Sequence, residues 1–168
     1  VFMTANNGDT WEGITPPGVV LIRDIQFLDS TSGFLVSEEL SEEKILYTLF
    51  STIDGGLNWV SRTIAAYQLG QPEAENSNIN LFFLDGNHGW IVFRRATSAN
   101  FNVGTLLRTT NGGLTWEDHS IPIGDPVAFT SPTDGMVTGG LNGHSMYITS
   151  DGGVTWKPTA LPYVQSQT

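Results

Sequence analysis

Four eight-residue stretches concentrate the side chains that do chemistry. They read Thr4-Ala-Asn-Asn-Gly-Asp-Thr-Trp11, Thr52-Ile-Asp-Gly-Gly-Leu-Asn-Trp59, Thr109-Thr-Asn-Gly-Gly-Leu-Thr-Trp116 and Thr149-Ser-Asp-Gly-Gly-Val-Thr-Trp156. Each puts a carboxylate or amide, hydroxyls and an indole into one short turn, the groups that acid/base catalysis or sugar binding would use. A catalytic group is needed once, however, and four equivalent copies point to a folding role. In a tight turn Asn6, Asp54, Asn111 and Asp151 accept hydrogen bonds from nearby backbone N–H groups. Gly8, Gly56, Gly113 and Gly153 take conformations that a Cβ would forbid. Trp11, Trp59, Trp116 and Trp156 are expected to be mostly buried, pinning each turn to its neighbour.

The remaining reactive side chains form no recognisable motif. His88, His119 and His144 share no ligand spacing, so no metal site is expected, and neither a Gly-x-Ser-x-Gly nucleophile turn nor a phosphate loop is present. Without cysteine there is no disulfide framework, thiol chemistry or Cys-ligated zinc. No cofactor is implied. The 168 residues carry 17 Asp and Glu against 7 Lys and Arg, a net charge of −10 that repels phosphate backbones and anionic lipid. No nucleic-acid partner is therefore expected. Apolar runs fall short of the roughly 18 residues needed to span a bilayer, so no membrane insertion is expected either. A two-carboxylate glycosidase needs its acids about 5 to 9.5 Å apart across a cleft, and the abundance of acids keeps that chemistry open as the alternative.

The elements that position these residues follow from the repeats. Trp11, Trp59, Trp116 and Trp156 stand 48, 57 and 40 residues apart. A second motif alternates with the first: Ile25-Gln-Phe-Leu-Asp…Gly33-Phe-Leu-Val, Leu81-Phe-Phe-Leu-Asp…Gly89-Trp-Ile-Val and Val127-Ala-Phe-Thr-Ser…Gly135-Met-Val-Thr, with the aromatic six residues before the glycine each time. Each unit reads as four short strands, A to D. In the second full unit strand A is 79–84, strand B is Trp90 to Phe93, strand C is Thr105 to Thr109, and strand D follows Trp116. Phe27, Phe83 and Phe129 pack between units, and Gly33, Gly89 and Gly135 end the A to B turn. No segment has a sustained 3.6-residue apolar period, and Glu38 to Phe50 reads as an acidic hairpin turn leading into strand C. The chain is all-β, a β-propeller of four-stranded antiparallel blades with about three and a half blades present. The reading divides it into a half blade at 1–17, blades at 18–64, 65–122 and 123–162, and a tail at 163–168.

The pattern Ser/Thr-x-Asp-x-Gly-x-Thr-Trp resembles the Asp-box, or BNR repeat, of sialidases, sortilin-type receptors, some endoglucanases and photosystem II assembly factors. Its combination with Phe-x-Asp-x-x-x-Gly-Trp is most similar to the last of these, the Ycf48-like propellers, over nearly the whole chain. The resemblance implies an assembly role and places the boxes at strand C to D turns, away from the ligand-binding face. Asn6, Asn111 and Asn58 depart from the consensus, which is expected to weaken individual turns. A sialidase would need three arginines converging on a carboxylate. Among the five arginines only Arg23 lies near an inner strand position, and the adjacent Arg94 and Arg95 point to opposite sides of a strand.

Each blade also serves as a control for the others. The A to B and C to D turns are nearly uniform in length, whereas the D to A and B to C connections vary and are expected to share one face. That face is read as Ser37 to Lys44, Ala65 to Asn78, Arg94 to Asn102 and Gly139 to His144. Its candidate binding residues are Arg94, Arg95, Tyr67, Phe101, Glu38, Glu39 and His144. The reading is a non-catalytic binding or assembly scaffold for a protein or polar ligand, expected outside the cytoplasm. The alternative is a carbohydrate-active propeller, sialidase- or glycoside-hydrolase-like, with a glycan as partner. Half a blade leaves a sheet edge unpaired, so the chain is expected to belong to a longer propeller or to be completed by a second chain.

Overall fold

The computed structural model describes residues 1–69, 76–96, 102–140 and 143–159, and every regular element among them is a β-strand. The strands are β1 (Phe2–Met3), β2 (Glu12–Gly13), β3 (Leu21–Phe27), β4 (Gly33–Leu40), β5 (Lys44–Thr52), β6 (Val60–Gln68), β7 (Asn76–Phe83), β8 (Gly89–Ala96), β9 (Asn102–Thr109), β10 (Glu117–Ile121), β11 (Val127–Phe129), β12 (Gly135–Gly139), β13 (Ser145–Thr149) and β14 (Lys157–Thr159). They form three four-stranded antiparallel sheets, β3-β4-β5-β6, β7-β8-β9-β10 and β11-β12-β13-β14, and one two-stranded sheet, β1-β2. These are the three blades and the half blade of a propeller chain. They fall into two compact units, Val1–Leu69 and Gly70–Thr168.

Burial follows position in the blade. A strand with neighbours on both edges and side chains packed on both faces reads as a continuous apolar run. Accordingly Phe34 to Val36 on β4 and Trp90 to Phe93 on β8 are all buried. Strand β5 alternates, with Ile45, Tyr47 and Leu49 buried. In the second unit Trp90, Val92, Leu106, Ile121, Ile123, Val127, Phe129 and Val137 form one core that joins its two blades.

Several strands run further than the sequence pattern implies. Strand β6 extends through Gln68, so Ala65 to Gln68 belong to the first full blade and not to the next one at 65–122. Strand β4 continues to Leu40, with Glu38 opposite Tyr47, which reduces the acidic turn to Ser41 to Glu43. Strand β8 includes Arg94 to Ala96, paired with Gly104, Val103 and Asn102. Polar side chains led these stretches to be read as connections. The ladder is made by backbone groups, which pair whatever the side chain.

Candidate functional site

The four boxes lie at C to D turns and bond inward. In the second, Thr52 Oγ1 donates to Asp54 Oδ1 at 2.9 Å and accepts from Gly56 N at 2.9 Å. Asp54 Oδ1 also accepts from Asn58 N at 2.9 Å, while Asn58 Nδ2 donates to Asp54 Oδ2 at 2.8 Å. The fourth box repeats this with Asp151, Thr149, Gly153 and Thr155. Where Asn replaces Asp the turn is not depleted of bonds. Asn6 Nδ2 donates to Thr10 Oγ1 and Asn111 Nδ2 to Thr115 Oγ1, both at 2.8 Å, reversing the direction in which Thr155 Oγ1 donates to Asp151. Hydroxyls both donate and accept, so the Asn turns keep the bond that the Asp turn makes. In the second box Asn58 supplies the donor itself, so the Asn departures preserve the pattern.

These bonds stabilise the charged carboxylates. The hydroxyl and backbone N–H of Thr155 hold Asp151 down at about 2, below its ordinary 3.8. Hydrogen bonds from the Asn58 backbone and side chain lower Asp54 in the same way. A carboxyl so tuned is ionised throughout the range where a general acid would have to deliver a proton.

The boxes are further tied to the A to B turns. Gly55 N donates to Thr31 O, Gly112 N to Asn87 O and Gly152 N to Thr133 O, at 2.8 to 2.9 Å. Those turns are closed by Asp29 and Asp85, each accepting two backbone N–H bonds, and by Ser131 in the third blade. Gly152 combines φ of 77° with a neighbour, Pro132 O, that a Cβ would meet at 2.9 Å, so only glycine fits.

The indoles are less buried than their spacing implies. Trp59, Trp116 and Trp156 are half-buried, and Trp11 is 60% exposed. Each of the first three stands edge-on to the A-strand phenylalanine of its own blade: Phe27–Trp59 at 6.2 Å, Phe83–Trp116 at 6.3 Å and Phe129–Trp156 at 6.3 Å between ring centroids. Trp59 and Trp156 also donate to Gly56 O and Gly153 O. One face of each ring stays in solvent because the box ends at a sheet edge. The motif glycines likewise do more than end a turn: Cβ atoms at Gly33, Gly89 and Gly135 would run into the rings of Phe27, Phe83 and Phe129. The six-residue spacing is thus a contact between cross-strand partners, Phe27 opposite Gly33, Phe83 opposite Gly89 and Phe129 opposite Gly135.

At the other end of the sheets the candidate binding residues are partly engaged already. In the first unit Glu38 is 8% exposed, and its carboxylate receives both Arg23 Nε and Nη2 at 2.8 and 2.9 Å. That fork-to-fork pair removes Glu38 and Arg23 from the free surface. Glu39 is exposed, as are Glu42 and Glu43. Tyr67 is half-buried, its ring edge-on to buried Tyr47 at 6.0 Å. In the second unit Arg94 Nη1 donates to Asp125 Oδ1 at 3.2 Å, and Asp125 Oδ2 accepts from Gly140 N at 2.9 Å. Arg95 stands opposite Asn76 and Val103 in the ladder, and His144, just before β13, is exposed. Phe101 lies outside the described residues.

Sequence reasoning missed Asp125 and Trp90. Trp90 is fully buried, stacks on Phe129 at 3.6 Å and 6° between planes, and donates from Nε1 to Gly152 O at 2.8 Å. Its signal was available, since it follows the motif glycine where Phe34 and Met136 stand in the other blades. Among the described residues no three His, Asp or Glu side chains come close enough to hold a metal ion.

Comparison with known proteins now bears on these sheets. Residues 3–122 match the family described as photosynthesis system II assembly factor YCF48, and residues 147–158 match the BNR/Asp-box repeat. The chain belongs to the YCF48 family. A relative, the photosystem II assembly lipoprotein Ycf48 of Synechococcus sp. (strain CC9902), is 30% identical over 133 residues, covering 76% of this chain. The chain spans 33% of that relative's length. No solved structure matches. Family membership accounts for the alternation of Phe-Gly and Asp-box motifs, since both are needed to build one blade.

Proposed function

We propose that this YCF48-family chain is a non-catalytic scaffold in photosystem II assembly, acting outside the cytoplasm. The observation that supports it is the inward bonding of the box turns: their hydroxyls, carboxylates and amides are spent on their own backbone, leaving no free acid/base pair there. The relative's description as an assembly lipoprotein gives the role and the compartment. Partner contact is assigned to the sheet ends opposite the boxes, through the exposed Glu39, Glu42 and Glu43, with Tyr67, Arg94, Arg95 and His144 as further candidates. A net charge of −10 favours a partner surface with positive charge, and such contacts act chiefly on association rate and selectivity.

Purified photosystem II proteins passed over the immobilised chain test this directly. Saturable retention that weakens with added salt is expected, together with no turnover of a fluorogenic glycoside panel. Fluorophore release, or no retention at any salt concentration, overturns the reading.

A further inference from the structure

The second unit shows how a filled junction between blades is built. Trp90 projects from strand β8 onto Phe129 and bonds to Gly152 O, with Val92, Leu106 and Val127 buried around it. The repeat register carries these positions into the first unit. Thr4 corresponds to Thr109, so Met3 corresponds to Arg108 and Val1 to Leu106, while Ile25, Phe27 and Gly55 correspond to Val127, Phe129 and Gly152. Val127 and Phe129 are buried, at 5% and 4% exposure, whereas Ile25 and Phe27 are only half-buried. What is missing is a counterpart of Trp90. In its place is a cavity of about 500 Å³ lined by Val1, Met3, Trp11, Ile25 and Phe27 among others. One edge of β1 pairs with β2, and no strand lies along the other edge among the described residues. Phe2 beside it is 72% exposed.

We infer that this cavity is a socket for the aromatic residue of an added β-strand, supplied by a repeat of the same type from outside these 168 residues. The strand runs antiparallel to β1, its glycine opposite Thr4 and the following Trp or Phe opposite Met3, as Gly89 and Trp90 stand opposite Thr109 and Arg108. The ring stacks on Phe27, and an indole N–H reaches the Gly55 carbonyl. Two features select this occupant. A bare β1 edge calls for backbone donors and acceptors as well as an apolar group, which a small apolar ligand lacks. A second copy is disfavoured because β4, β8 and β12, the strands that carry the motif glycine, already have a neighbour on both edges. The chain covers only a third of its relative, which leaves most of that protein outside the match.

Because Val1 occupies the Leu106 position, a copy of residues 79–105 joined directly to Val1 places the strand in register. Hydrogen exchange at β1 and at Ile25 to Phe27 should slow by about tenfold or more in the fused chain. Trp90→Ala, made in the copy alone, should abolish most of that protection. The same copied segment added as a free peptide to the unfused chain should protect the same amides, which covers the case in which the fusion folds badly. Equal exchange with and without the segment in both formats overturns the inference, as does full protection by the Trp90→Ala copy. Concentration-dependent protection of β1 in the unfused chain, with a dimer by light scattering, assigns the socket to a second copy and also overturns it.

Discussion

Asp151 and Asn111 perform one task with two chemistries, and the difference is measurable. A carboxyl held at about 2 in the fold and at 3.8 when free stabilises the protein fully above its free value, and that contribution is lost as the pH falls towards 2. Asp151→Asn should therefore flatten the acid limb of stability between those values. At neutral pH it should cost less than about 1 kcal/mol, because Asn111 already shows the amide bonding to the following Thr. Urea denaturation across the acid range checks both outcomes. The Arg23–Glu38 pair makes a contrasting case. Truncating Glu38 leaves a partly buried guanidinium without its carboxylate, and a double-mutant cycle with Arg23→Met should give a coupling larger than the 0.2 to 1 kcal/mol typical of exposed pairs, by about a factor of two.

Within a blade, the phenylalanine ring lies between the motif glycine and the box tryptophan. Gly89→Ala drives a methyl into Phe83 and should cost about 1 to 3 kcal/mol. Gly86→Ala is the control, since a Cβ there meets nothing within 4 Å. Loss at both sites alike would assign the effect to glycine chemistry and not to the ring contact. Between blades, Trp90→Ala should cost about 3 to 5 kcal/mol and exceed Trp59→Ala, because Trp90 is fully buried and Trp59 is half in solvent. Trp90→Phe keeps the stack but loses the bond to Gly152 O, for about 1 kcal/mol. Thermal unfolding of the three variants side by side ranks them.

For the whole molecule the excess of acid is the property a partner meets first. Replacing Glu39, Glu42 and Glu43 together by Lys moves the formal net charge from −10 to −4, since each change adds two. The chain should still fold, all three being exposed, while partner capture weakens and loses its salt dependence. Unchanged capture by this variant would move the contact to another surface. Arg94 makes a poorer probe, because reversing its charge also breaks the link through Asp125 to Gly140.

Repeated local chemistry was fully legible in the chain. The Thr, Asp or Asn, and Gly of each box bond within four residues of one another, so their spacing carries their role, and the turn glycines with alternating apolar runs gave the strand order. Strand ends were not legible, because Ala65 to Gln68 and Arg94 to Ala96 pair through backbone groups that no side-chain pattern reports. Nor were the pairings between distant residues. Glu38 looked like a free surface acid until Arg23, fifteen residues away, was found to close on it, and Trp90 gained its meaning from Gly152, sixty-two residues on. Local hydrogen bonds are written in neighbouring residues; burial and long-range pairing depend on which surfaces the sheets bring together, and only the tertiary structure decides that.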